Sequence, residues 1–345
     1  MKLSLAHSRA PTRLLVVSPA TPEVLEAIRE RFPEIRTEAC DVDDVGTVIR
    51  TINPDATFVS TPGTLDAVCW SSIVSCNGLR WLHVGSVGFE KVPPWDPTSL
   101  TVTNSGGAGA DEMAEYVIGA MLMANTGFVS SMDNQRQRKW HQNWWTPLRG
   151  KTLTVIGVGH IGSRVIEKAR ALGLRIVAVR ERIQSVPGAE ITFPSSRLHE
   201  ALDQADFVSV QVPLNDCTRH LLDRKALSHM RPSAWLINVS RGPVVDHAAL
   251  IEALEQERIG GAVLDVFQVE PLPAESKLWG LKNAVVTPHI SGCITNWYQI
   301  TTRIFCENLQ RFQSGTPLEN VVQYKSRSAP PGSLTEISTT GAWLT

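Results

Sequence analysis

Between residues 152 and 289, six short apolar runs alternate with helical patterns. They read TLTVIG (152–157), LRIVAV (174–179), FVSVQV (207–212), WLINVS (235–240), AVLDVF (262–267) and AVVTPH (284–289). Strands of this length, each followed by a helix, build βαβ units, and βαβ units build a parallel sheet with helices on its faces. The earlier part of the chain repeats the theme more weakly. Leu14–Val17, Ala56–Ser60 and Trp81–Val84 read as strands, and Thr21–Arg31, with Pro22 near its start, reads as a helix. Asp111–Ala124 reads as a longer helix with acids in its first turn and a broad apolar face. No internal repeat of 20–50 residues is visible.

The length of 345 residues suits about two domains of ~150 residues each. Hydrophobic residues make up 43% and charged residues 19%, which supports a sizeable core. The balance of 33 basic against 34 acidic residues argues against a nucleic-acid binder, while leaving room for a local anion pocket. The apolar runs are far shorter than the ~20 residues of a membrane helix. Six scattered cysteines without CxxC spacing read as reduced thiols and offer no metal site. The first 22 residues lack acids and carry Lys2, Arg9 and Arg13. They are read as a frayed terminus rather than a transit peptide, and a cytoplasmic location is expected. The stretch 326–345, rich in Ser, Thr, Pro and Gly, is expected to be a disordered tail. Gln135–Trp145 (QRQRKWHQNWW) is basic and aromatic, so it reads either as a subunit contact or as a core edge capped by Trp140, Trp144 and Trp145.

Gly157, Gly159, His160, Ile161 and Gly162 form a GxGxxG segment directly after the strand TLTVI and at the start of a helix. That context is what a dinucleotide fingerprint requires. The first glycine allows the tight turn, the second admits the pyrophosphate to the backbone, and the third lets helix and strand pack closely. The next strand runs into Arg180, Glu181 and Arg182. A ribose-binding acid is usual there in an NAD site, and the position falls on Arg180. Arg180 and Arg182 would suit the 2′-phosphate of NADP(H), the favoured cofactor. A shift of one residue would put Glu181 there and restore NAD(H).

Three later strand ends carry Arg241, then Asp265 and Glu270, then His289. Strand C-termini line the ligand crevice of an open parallel sheet. An Arg can hold a carboxylate through two parallel bonds, a His can move a proton near neutral pH, and a Glu beside it can orient the ring. Each residue alone is more readily structural; their succession on neighbouring strands is what carries meaning.

These segments resemble the D-isomer-specific 2-hydroxyacid dehydrogenase family. The similarity runs through LRWLHVGSVGFEKV (79–92), TVTNSGGAGADEMAEYVIGAML (101–122), INVSRGPVVDHAALIEAL (237–254), GGAVLDVFQVEPLP (260–273) and NAVVTPHISG (283–292), and covers about residues 10–322. The resemblance implies two Rossmann-like α/β lobes with parallel sheets, the nucleotide lobe inserted into the substrate lobe. The expected division is 1–106 plus 291–325 for the substrate domain and 107–290 for the nucleotide domain. It implies catalysis by Arg241, Glu270 and His289, with Arg241 on the substrate carboxylate and 2-oxo group and His289 as acid/base. It implies that the backbone of Val87 and Gly88 binds the carboxylate. Val212, Pro213, Val239, Asp265 and Gly292 would line the cofactor. The substrate would be a small 2-oxo or 2-hydroxy acid, the closest likeness being to glyoxylate/hydroxypyruvate reductases, and the assembly a homodimer. Alternatives are a 3-phosphoglycerate dehydrogenase-like enzyme or a nucleotide-sensing corepressor-like regulator.

Overall fold

The structure is a computed structural model that describes residues 13–17, 22–181 and 184–322. Arg182, the tail 326–345 and the segment before Arg13 lie outside the described residues. The chain divides after Ala108 and again after Ile294. These divisions fall a few residues past the expected boundaries at 106 and 290. The middle unit is inserted into a unit made from both ends of the sequence.

The first unit contains β1 (Arg13–Val17), α1 (Pro22–Arg31), β2 (Arg36–Cys40), α2 (Val45–Ile52), β3 (Ala56–Val59), α3 (Ala67–Val74), β4 (Trp81–Val84) and β5 (Thr101–Asn104). Its five strands are parallel in the order β2-β1-β3-β4-β5. β3 and β4 are buried along their whole length, the mark of parallel strands covered on both faces. The covering on one face is completed from the far end of the sequence. In the helix Trp297–Ser314, Phe305 stacks 4.4 Å from Phe58 and 5.1 Å from Trp81.

The middle unit opens with α4 (Ala110–Asn125) and α5 (Phe128–Arg136). There follow β6 (Thr152–Ile156), α6 (His160–Ala171), β7 (Arg175–Arg180), β8 (Ile191–Pro194), α7 (Leu198–Leu202), β9 (Phe207–Val210) and α8 (Arg224–Ser228). β10 (Trp235–Asn238), α9 (His247–Glu255), β11 (Gly261–Leu264) and β12 (Ala284–Val286) complete it, so that Trp297–Ser314 is α10. All seven strands are parallel, in the order β12-β11-β10-β9-β6-β7-β8. Ala114, Val117 and Met121 of α4 share one core with Val165, Ile166 and Ala169 of α6. The chain winds outward from β6 through β7 and β8, then returns to the other side of β6 as β9. That reversal is where an open α/β sheet binds its ligand, outside the strand C-termini.

Gln135 and Arg136 belong to α5, and the rest of the Trp-rich segment runs along the surface. Trp140 is 100% exposed and Trp144 93%, so a Trp-capped core edge is excluded.

Candidate active site

The dinucleotide turn is shaped by what its glycines lack. Gly157 has φ +93°, and a Cβ there would press on Val212 and the Gln211 backbone. The ends of β6 and β9 thus meet at the reversal point. A Cβ on Gly162 would overlap the Gly157 carbonyl, so α6 rests directly on the turn. Gly159 differs, because nothing lies within 4 Å of the Cβ position it leaves empty. As the N-cap of α6 it leaves the first-turn amides of His160, Ile161 and Gly162 beside an open, side-chain-free surface. A helix N-terminus of this kind attracts a phosphate, so these residues fit a dinucleotide pyrophosphate.

β7 ends at Arg180, level with Pro194 of β8, while Gly157 N–H donates to the Val179 carbonyl at 2.9 Å. Arg180 is therefore the first residue beyond the level of the turn, and Glu181 lies exposed just after it. Val212 is half-buried at the same corner and Pro213 is exposed. Val239, just past the end of β10, is buried in the core. Gly292 is half-buried, with only Met113 Sδ touching the space a Cβ would occupy.

His289 and Glu270, expected to act together, are hydrogen-bonded to each other. His289 Nδ1 donates to Glu270 Oε2 at 2.8 Å, and Glu270 Oε1 accepts from Phe267 N–H at 2.9 Å. The second carboxylate oxygen is thereby fixed to its own loop, and His289 Nε2 is the nitrogen left to exchange a proton with a substrate. His289 has φ +55°, a left-handed conformation that a side chain adopts only when surrounding contacts hold it there. Asp265 supplies those contacts. It is fully buried; its Oδ1 accepts from Thr287 Oγ1 (2.6 Å) and Ile290 N–H (2.8 Å), and its Oδ2 from Ser291 N–H (2.9 Å). Its carbonyl takes His289 N–H at 2.9 Å. Tyr116 Oη donates to Thr287 Oγ1 at 2.6 Å, and burial pushes the Tyr116 phenol up, so it remains an O–H donor at neutral pH.

Arg241 follows β10 in a turn fixed by the buried Asn238, whose Oδ1 accepts from Ser240 N–H (3.0 Å) and Ser240 Oγ (2.8 Å). Next to it, a Cβ on Gly242 would overlap the Phe267 carbonyl. The Arg241 turn therefore lies flush against the segment that carries Glu270. Asn238, Gly242, Tyr116 and Thr287 escaped the sequence reading. Only Gly242, as the glycine after Arg241 in INVSRG, carried a local signal.

Val87 and Gly88 belong to the first unit, on the loop that leaves β4. Val87 is 39% exposed and Gly88 half-buried.

Comparison with known proteins agrees with this geometry. The NAD binding domain of D-isomer specific 2-hydroxyacid dehydrogenases matches residues 118–291. A glyoxylate reductase of Korarchaeum cryptofilum is 32% identical over 267 residues, 74% of this chain and 79% of its own length. A glyoxylate reductase of Aeropyrum pernix is 34% identical over 71% of this chain and 76% of its own. A D-isomer specific 2-hydroxyacid dehydrogenase of Xanthobacter autotrophicus, solved in complex with NADPH and MES, superposes with a TM-score of 0.78 at 25% identity, covering 92% of this chain and 98% of that one. The chain belongs to the D-isomer-specific 2-hydroxyacid dehydrogenase family. It is an NAD(P)-dependent oxidoreductase. Among the described residues, no helix is long and apolar enough to cross a membrane, and no cluster of His, Cys, Asp and Glu could hold a metal ion.

Proposed function

We propose that this chain reduces small 2-oxo acids of the glyoxylate and hydroxypyruvate type to 2-hydroxy acids, with NADPH preferred over NADH. The observation that carries the reading is the His289–Glu270 pair joined through Phe267 and Gly242 to the Arg241 turn. When bound, the reduced nicotinamide supplies the hydride that C2 of the substrate needs. Arg241 pairs with the carboxylate and stabilises the negative charge that grows on the 2-oxygen. His289 Nε2 delivers its proton to that oxygen. Glu270 holds Nδ1–H and steadies the ring while it is an imidazolium. The backbone amides of Val87 and Gly88 bind the carboxylate. The pyrophosphate is held by Gly157, Gly159, His160, Ile161 and Gly162. Arg180, with Arg182, holds the 2′-phosphate. Val212, Pro213, Val239, Asp265 and Gly292 line the cofactor, Asp265 acting through the loop it anchors.

The enzyme works as a cytoplasmic homodimer in this reading. All six cysteines are free thiols, two of them exposed, which suits a reducing compartment. Leu122, Phe128 and Met132 of α4 and α5 add an apolar surface beside the exposed tryptophans, the composition of an interface between copies. Light scattering at micromolar concentration should give twice the chain mass. The function is tested by assaying glyoxylate, hydroxypyruvate, 3-phosphohydroxypyruvate and pyruvate against NADPH and NADH. Turnover of the first two with NADPH is expected, and failure with every acid and both cofactors overturns the proposal.

A further inference from the structure

The loop Gly85–Gly88 leaves β4 with all four of its carbonyls already occupied. Trp297 Nε1 donates to the Gly85 carbonyl at 3.2 Å, from the first residue of α10. Ser105 N–H donates to that of Ser86 at 3.0 Å. Asn104 Nδ2 donates to that of Val87 at 2.6 Å, and Ser86 Oγ to that of Gly88 at 2.5 Å. Gly85 N–H is spent on the Val59 carbonyl at 2.8 Å. Among the described residues, the N–H groups of Ser86, Val87 and Gly88 donate to nothing. Three successive unpaired amides, with every neighbouring carbonyl already hydrogen-bonded, make a donor set open to an anion.

Asn104 is the hub of this arrangement. Its Nδ2 serves Val87 while its Oδ1 accepts from Gly106 N–H at 3.1 Å. Only one orientation of the amide satisfies both partners. Its own N–H donates to the Asn320 carbonyl at 3.1 Å, and Asn320 Nδ2 donates to the Gly106 carbonyl at 2.9 Å. The residue is thus pinned from two sides before it reaches the loop. Among the described residues, no other side chain bonds both this loop and the segment after β5.

We propose that Asn104, seconded by Trp297, is a positioning residue for carboxylate binding: it holds the Val87 carbonyl back so that the Ser86, Val87 and Gly88 amides converge on the substrate's carboxylate. This rests on the 2-oxo acid reductase reading given above and deepens it. Neither residue touches the reacting atoms. Their loss therefore weakens substrate capture and leaves proton transfer by His289 in place.

The test uses the full chain and the variants Asn104→Ala and Trp297→Phe. In Asn104→Ala the KM for glyoxylate should rise about tenfold, as expected for one hydrogen bond that aligns a charged contact. The kcat and the KM for NADPH should stay within a factor of two. A residue that served folding alone would lower the melting temperature and the active fraction, leaving KM unmoved. Trp297→Phe keeps the ring in place and removes one donor, so it should raise the glyoxylate KM in the same sense by a smaller factor. It keeps the proposal testable if Asn104→Ala does not fold. An unchanged glyoxylate KM in the folded variants overturns the proposal and leaves the reductase reading intact. If the wild type turns over no 2-oxo acid, that reading has failed, and calorimetric titration of oxalate into the NADPH-saturated protein decides the present proposal. Weaker oxalate binding by Asn104→Ala upholds it; equal binding, or none by the wild type, overturns it.

Discussion

His83 lies at the centre of the first unit with no exposed surface, between the rings of Phe58, Trp81 and Phe305. Its hydrogen bonds form one polarised chain. Trp81 Nε1 donates to Thr103 Oγ1 at 2.8 Å, so the Thr103 hydroxyl proton is free to go to His83 Nδ1 at 2.7 Å. Nε2–H then donates to Ser105 Oγ at 3.2 Å, and Ser105 Oγ donates to the Val84 carbonyl at 3.3 Å. A proton added to Nδ1 would face the Thr103 proton head-on. Burial pushes the His83 imidazole down to about 3 from its ordinary 6.5. The sign follows from linkage. Below pH 6.5 the unfolded chain binds a proton that the folded chain refuses, so stability is full above 6.5 and falls as the pH drops through the window toward 3. At pH 5 the difference is about 2 kcal/mol, from ~1.4 kcal/mol per pH unit. The assay is urea unfolding of the wild type and His83→Gln at pH 7 and pH 5. Gln keeps a donor and an acceptor and does not titrate. The wild type should lose about 2 kcal/mol more than the variant between the two conditions. Equal losses would show that His83 is not the acid-sensitive group, and the polarised chain would have to be abandoned.

Replacing His289 by Gln should lower kcat about 10²–10⁴-fold while NADPH binding, followed by fluorescence, persists; a near-normal rate removes the residue from proton transfer. Arg241→Lys keeps the charge and loses the planar fork, so both KM and kcat for the 2-oxo acid should suffer in steady-state assays. Arg180→Asp should lower the ratio of kcat/KM for NADPH over NADH by roughly one to two decades; a wild type that prefers NADH, with an indifferent variant, would assign the ribose to Glu181. Gly242→Ala forces a methyl into the Phe267 backbone. A loss of about 1–3 kcal/mol in thermal unfolding, with turnover falling as well, is expected.

What the sequence makes legible follows from how strongly a pattern is tied to one physical cause. The central strands of the middle unit, β6, β9, β10 and β11, are rich in apolar residues and almost wholly buried because both faces of a parallel sheet are covered, and they stand out for that reason. β2 (RTEAC), β5 (TVTN) and β8 (ITFP) are sheet edges, half-exposed and mixed in polarity, and they pass unnoticed. Glu270 and His289 are legible because chemistry restricts the residue types. Asn104, Asn238, Tyr116 and Thr287 are not, since each acts through hydrogen bonds to backbone or side chains that only the folded chain brings near. The tryptophans at 140, 144 and 145 show the opposite failure. Their composition suggested two surroundings, and only the fold distinguishes an exposed strip from a core edge.

Gly242 joins parts that the chain itself keeps far apart. Arg241 and Glu270 are delivered by different strands, yet no side chain separates the turn of one from the backbone of the other. The hydrogen bond from His289 extends this contact to a third strand. The Arg241 turn, the Glu270 carboxylate and the His289 ring are thus linked by direct contacts across three strand ends. A methyl added at Gly242 would press on the backbone that leads to Glu270 and, through it, on the ring of His289, so a single carbon at this seam would disturb all three groups at once.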